Sequence, residues 1–329
     1  MKYRLLILML MVHSVLYAQF TIQNVYNEDR TYVFPVFQSV SRPDIAEKIN
    51  NTIQVKFVEH PNPNAKNPFG TVDNEDEYRY EIGANNSRVL SLSITGAHSG
   101  MGYHVSNYDF NFDSHTGNPI DFNKVMGVEG QTRLRKALYK VWKESIKPNL
   151  NDSNFADEYK ECLANAEQIT ELDIRRMLIT DNTIRVWGGS CLDGTELRED
   201  QTAVPRDFSF GQLLPMLTNY GFSLFVRQPA SGPFQILLRG TVDNKYPISL
   251  VLFPDQGDAI KGQIVYDRFG TPINVKGTMT RNNLLFNELD EQGLPISEIK
   301  AIWVGSMLSG IFTNLKTKKQ MTFLASPHN

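Results

Sequence analysis

The sequence predicts an α+β domain, an antiparallel sheet with roughly two to four helices, followed by an all-β domain of about eight strands forming a barrel or sandwich. Three observations carry this reading. Over residues 19–227, strand-like alternation is interrupted by stretches whose apolar residues recur at helical spacing. From Phe234 onward the helical period vanishes, and short apolar runs follow one another between turn signals. Between the two lies Gln228-Pro-Ala-Ser-Gly-Pro233, whose composition is that of a linker. The expected organisation is a leader over 1–18, an α+β binding domain over 19–227, a linker over 228–233 and a barrel-like domain over 234–329.

The leader rests on the basic segment Met1-Lys-Tyr-Arg4 and an apolar run over 5–16, broken only by His13 and Ser14. Ala18 before Gln19 is the cleavage point expected of a secretory signal, with Leu16 bulkier than usual for the site. The run is too short to span about 30 Å of hydrocarbon, and no later segment approaches that length. The mature chain is therefore expected to be exported, periplasmic or secreted, with no membrane span. A hydrophobic content of 41% supplies real cores, so wholesale disorder is not expected.

Removing Lys2 and Arg4 leaves 31 basic against 36 acidic side chains, which speaks against a nucleic-acid binder. The imbalance is uneven: 10 basic and 8 acidic residues follow Pro233, leaving 21 and 28 upstream, a net of −7. Cys162 and Cys191 are the only cysteines, and in an oxidising compartment they are the expected disulfide.

In chain order, residues 20–25 and 31–37 read as strands. Ser41, Pro43 and Asp44 open a helix whose buried stripe is Ile45, Ile49, Ile53 and Phe57. A loop over 60–68, dense in Pro and Asn, leads into the acidic cluster Asp73, Glu75, Asp76 and Glu77. Strands are expected over 78–82, 88–95 and 105–112. In the last, Tyr108, Phe110 and Phe112 share one face and Asn107, Asp109, Asn111 and Asp113 the other, the pattern of a half-buried strand. Asp113-Ser-His-Thr-Gly117 closes it as a polar turn. Leu134, Leu138, Val141 or Trp142, and Ile146 mark a helix that Pro148 ends, and a second helix covers 155–166. Residues 177–187 return to strand with a turn at Asp181-Asn182. Ser209 with Gln212 opens a short helix around 213–217, kinked or restarted at Pro215. The barrel strands are expected over 234–242, 248–253, 259–267, 273–279, 284–289, 301–307, 310–314 and 321–325.

Little of this composes a catalytic site, and neither a metal nor a cofactor is expected. Gly96-Ala-His-Ser-Gly100 places its Ser one position late for a nucleophile elbow. His98, His104 and His115 lack a metal-binding spacing. Glu288 and Asp290 share a strand face as a glycosidase pair would, but read as a solvated strand end.

A family resemblance adds to this. Val33-Phe-Pro-Val-Phe37, Ile45-Ala-Glu-Lys-Ile-Asn50, Tyr78-Arg-Tyr80, Val89-Leu-Ser-Leu-Ser93, Tyr108-Asp-Phe-Asn-Phe-Asp113 with Thr116-Gly117, and Phe210-Gly-Gln-Leu-Leu-Pro215 follow in that order. Over residues 19–221 the chain resembles the extracytoplasmic module of lysozyme-sensing anti-sigma factors of the RsiV type, which also precedes the catalytic domain of peptidoglycan deacetylases of the PdaC type. It departs from them at Ile184-Arg-Val-Trp-Gly-Gly189, where the family has a tyrosine-rich strand. The last hundred residues are similar to small β modules of exported bacterial proteins. The resemblance implies a non-catalytic cell-envelope protein that binds lysozyme or peptidoglycan fragments. The residues expected to meet such a partner are Asp73, Glu75, Asp76, Glu77, Tyr103 and His104. The alternatives are a lipocalin-like small-ligand carrier using the barrel and a hydrolase of cell-wall glycans.

Overall fold

The structure, a computed structural model, describes residues 20–26, 30, 32–57, 77–99, 103–148, 156–166, 170–188, 205–226 and 232–328. It bears out the expected class: sheets with a few helices, then a closed antiparallel barrel. The chain divides into two compact units, Met1–Asp121 with Val141–Asp207, and Phe122–Lys140 with Phe208–Asn329. The barrel unit thus takes in chain that precedes the 228–233 linker.

In the first unit β1 (Thr21–Tyr26) pairs antiparallel with β2 (Val33–Gln38), and α1 (Pro43–Phe57) follows. Pro43 occupies the first turn, where a missing N–H loses nothing, and Asp44 and Lys56 oppose the helix dipole at its two ends. Ile45, Ile49 and Ile53 are buried as the spacing predicts; the side chain of Phe57 lies outside the described residues. Their partners are Phe34, Phe37, Leu90, Leu92, Ile94, Phe110 and Phe112. The last five come from β4 (Val89–Ser99) and β5 (Tyr103–Asp113), which form a sheet with β3 (Glu77–Asn85) in the order β3-β4-β5.

Two asparagines stitch this unit. Asn50 donates to the Phe37 carbonyl at 2.8 Å and accepts from its N–H at 2.9 Å. Asn85 does the same for Phe20, at 2.7 and 3.1 Å. Each amide side chain stands in for the missing ladder partner of a buried backbone.

The polar turn after β5 is built by Asp113, whose Oδ1 accepts from the N–H groups of His115 and Thr116. Gly117 follows at φ 65°, a conformation that favours glycine. Arg42 and Lys48 then cap the turn's carbonyls at Ser114, His115 and Thr116. The most specific piece of the resemblance, Tyr108 to Gly117, is therefore spent on folding.

Helix α2 (Phe122–Ile146) is broken at Gly127, whose φ of 62° and ψ of −179° are not helical. It is followed by α3 (Ala156–Ala166), then by β6 (Ile174–Ile179), β7 (Thr183–Gly188) and β8 (Arg206–Ser209) in one sheet. The expected capping box is present: Ser209 Oγ accepts from Gln212 N, and Gln212 Oε1 accepts from Ser209 N at 2.9 Å. The helix it opens, α4 (Phe210–Leu213), is shorter than expected. A further helix, α5 (Asn219–Phe225), is capped by Thr218.

The barrel runs β9 (Leu238–Val242), β10 (Tyr246–Pro254), β11 (Ala259–Tyr266), β12 (Pro272–Thr280), β13 (Asn283–Glu288), β14 (Ser297–Val304), β15 (Met307–Asn314) and β16 (Gln320–Pro327). Strand β16 pairs with β9 and closes it. Alternate residues of each strand fill the interior, among them Leu250, Ile264, Val275, Phe286, Ile299, Phe312 and Phe323. The sequence placed the β14–β15 break at Leu308-Ser309. The chain turns instead at Gly305, at φ 59°, because Leu308 is a fully buried interior residue.

Candidate functional site

The residues expected to meet a partner lie at the border of what is described. Asp73, Glu75 and Asp76 fall outside the described residues, as do the side chain of Glu77, Cys191 and the side chain of Cys162. Tyr103 and His104 belong to β5, where their backbones pair with Ser99 and His98, but their side chains also lie outside the described residues.

Polar chemistry concentrates in three described places. The first is the face of β5 read as solvated. Asp109 and Asn111 are buried there beneath β6. Arg176 Nε and Nη2 donate to Asp109 Oδ2 and Oδ1 at 2.8 and 2.9 Å, and Nη2 also reaches Ser93 Oγ at 3.3 Å. The guanidinium lies 4.3 Å from the centroid of the Trp187 ring. Asn111 donates to the Met177 carbonyl and accepts from the Ile179 N–H, both at 2.8 Å. From Asp109 to Phe112 strand β5 is thus covered on both faces, a correction of the half-buried expectation, while Asn107 and Tyr108 stay exposed. The polar face is a docking seam, with a bidentate charge pair, a cation–π stack and amide bonds replacing water.

The second lies inside the barrel. Glu288 is only 3% exposed, which corrects its reading as a solvated strand end. Tyr266 donates its phenol proton to Glu288 Oε1 at 2.8 Å. Burial pushes the Glu288 carboxyl above the usual carboxylate range, while hydrogen bonds from Tyr266 and Ser297 pull it down. Burial and the neighbouring carboxyl both raise the Tyr266 phenol. Asp290 has a separate role, its Oδ1 accepting from the N–H groups of Gln292 and Leu294 in the next turn. The two carboxylates do not act as a pair.

The third is on the barrel wall, where Arg239 donates to Ser249 and to the Leu217 carbonyl, and Ser249 donates to Asp267 Oδ1 at 2.8 Å. Burial lowers the Arg239 pKa, and Asp267 works against that shift. This network ties the chain before the barrel to β9 and β10.

No protein-family model matches the sequence, and no curated protein matches it. Among solved structures the chain is similar to a DUF3298 family member from Bacteroides fragilis NCTC 9343, with a TM-score of 0.32 at 10% identity. The match covers 61% of this chain and 92% of that one. Among the described residues no helix is long and apolar enough to cross a membrane, and no group of three or more His, Cys, Asp or Glu could hold a metal ion. Sequence reasoning missed Arg176, Trp187, Tyr266 and Arg239. Each takes its role from a partner on another element, 10 or more residues away, beyond the reach of a local pattern.

Proposed function

We propose an exported, non-catalytic binding protein of the bacterial cell envelope, whose α+β region over residues 19–227 engages a cationic protein such as lysozyme or a peptidoglycan fragment. The observation that carries this reading is the net charge of −7 on residues 19–232, set beside the leader-like start and the ordered motifs shared with lysozyme-sensing modules. A cationic protein is drawn to such a surface by complementary charge. The acidic run Asp73, Glu75, Asp76 and Glu77, with Tyr103 and His104, is the proposed contact. The described polar groups Asp109 and Asn111 of β5 are not part of it, because they are spent on Arg176, Met177 and Ile179. A carrier role would need an open chamber in the barrel, and interior side chains occupy that space.

The test is calorimetric titration with a cationic lysozyme at low and physiological salt. The expected result is binding that weakens with salt and is lost on reversing the four acidic charges. Absence of binding at low salt, with peptidoglycan fragments equally silent, overturns the proposal.

A further inference from the structure

The strands of the barrel do not close its wall evenly. Strand β10 pairs with β11 as far as Pro254↔Ile260, but with β9 only as far as Leu250↔Leu238. Residues 251–254 of β10 therefore run past the start of β9, and the chain that precedes β9 fills the gap. Phe234 forms a parallel bridge to Leu252, and Gln235 N donates to the Leu252 carbonyl at 2.7 Å. Because β9 itself lies antiparallel to β10, the chain reverses between Phe234 and Leu238, with Gln235 in that bend at φ 51°. Phe234 and Ile236 pack against the interior cluster of the barrel, of which Leu252 is a fully buried member. Leu237 is held on the other side, its carbonyl accepting from His328 N at 3.0 Å.

Two features of Gln235 oppose this closed arrangement. The left-handed region crowds the Cβ of any residue but glycine. Asp243 and Asn244 adopt it in the β9–β10 turn, but they have the short polar side chains that tolerate it, and Gln235 does not. In addition, Gln235 Oε1 is buried, and among the described residues no group donates to it. Both costs disappear if the segment lifts, because the backbone relaxes and the amide meets water. What holds the segment down is the burial of Phe234 and Ile236, which is only partial, whereas the barrel strands are paired on both sides. We propose that residues 234–236 are a strap that lifts from the barrel on its own, hinged at Leu237, and uncovers an apolar cleft beside Leu252.

The test is native-state hydrogen exchange of the full chain at increasing, sub-denaturing urea. The Gln235 N–H is expected to exchange by a local opening whose rate ignores urea, while the ladder amides of β10 and β13 wait for unfolding and respond to it steeply. Gln235→Gly suits the φ and removes the buried acceptor, so protection at this amide should rise about fivefold or more. Phe234→Ala removes an apolar anchor and should lower it about tenfold or more. The same variant should bind the apolar dye anilinonaphthalene sulfonate while its strand amides stay protected. If Phe234→Ala fails to fold, the wild type and Gln235→Gly still decide. Exchange at Gln235 that follows the strands in its urea dependence overturns the proposal, as does a Gln235→Gly chain with unchanged or weaker protection. A folded Phe234→Ala chain that binds no dye removes the cleft.

Discussion

Arg176 grips Asp109 with two near-parallel hydrogen bonds, 2.8 and 2.9 Å long, and so fastens β6 across β5. The carboxylate is 5% and the guanidinium 20% exposed, so each charge depends on the other for its solvation. Trp187 covers the remaining face of the guanidinium. The strength of this pair can be measured.

Asp109→Ala strands a buried cation. The expected loss is about 3 kcal/mol of unfolding free energy, read by urea denaturation. Replacing both partners, as Asp109→Leu with Arg176→Met, should cost less than the single change, because no buried charge is then left unpaired. If the double variant were the weaker of the two, the seam would not be held by this pair.

Glu288 makes stability depend on pH in a defined direction. Its folded pKa is raised, so the folded state holds a proton that the unfolded state releases. The contribution is fully present below the ordinary glutamate range and is lost as pH rises through the folded pKa. Thermal midpoints measured from acid toward alkali should therefore fall more steeply for the wild type than for Glu288→Gln. Parallel curves would remove Glu288 as the cause.

Tyr266→Phe deletes the phenol that donates to Glu288 and keeps the ring. A loss of about 1 kcal/mol is expected by denaturant titration, as for one hydrogen bond. The same change in a Glu288→Gln background should cost a different amount, since the donor then meets an amide in place of a carboxyl group.

The chain before the barrel crosses itself backbone to backbone. A Cβ at Gly130 would strike the Met216 carbonyl, and one at Gly221 the Val125 carbonyl. Gly130→Ala and Gly221→Ala should each destabilise by about 2 kcal/mol, whereas Gly257→Ala meets no neighbouring atom and loses only through its φ of 61°. Calorimetric midpoints will separate the two cases.

Features that depend on neighbours a few residues apart were legible in the sequence. The stripe Ile45, Ile49 and Ile53 marks the buried side of α1 because a helix repeats every 3.6 residues. Ser209 and Gln212 cap each other at a spacing of three. Alternation through Leu284 and Phe286 traces inward-facing strand positions. The eight-stranded class followed from that period, together with the turn signals between runs.

What the sequence could not decide is which polar residues leave water. Asp109 and Asn111 alternate with Phe110 and Phe112 as solvent-facing residues do, yet they are buried by partners more than 60 residues away. Glu288 looks like the wet end of a strand until closure of the barrel brings Tyr266 over it. The turn at Gly305 was misplaced because only the closed barrel shows Leu308 pointing inward. Local periodicity sets which way a side chain faces relative to its own backbone. Tertiary structure alone sets what stands opposite, and for a charged or polar group that partner determines whether burial is tolerated.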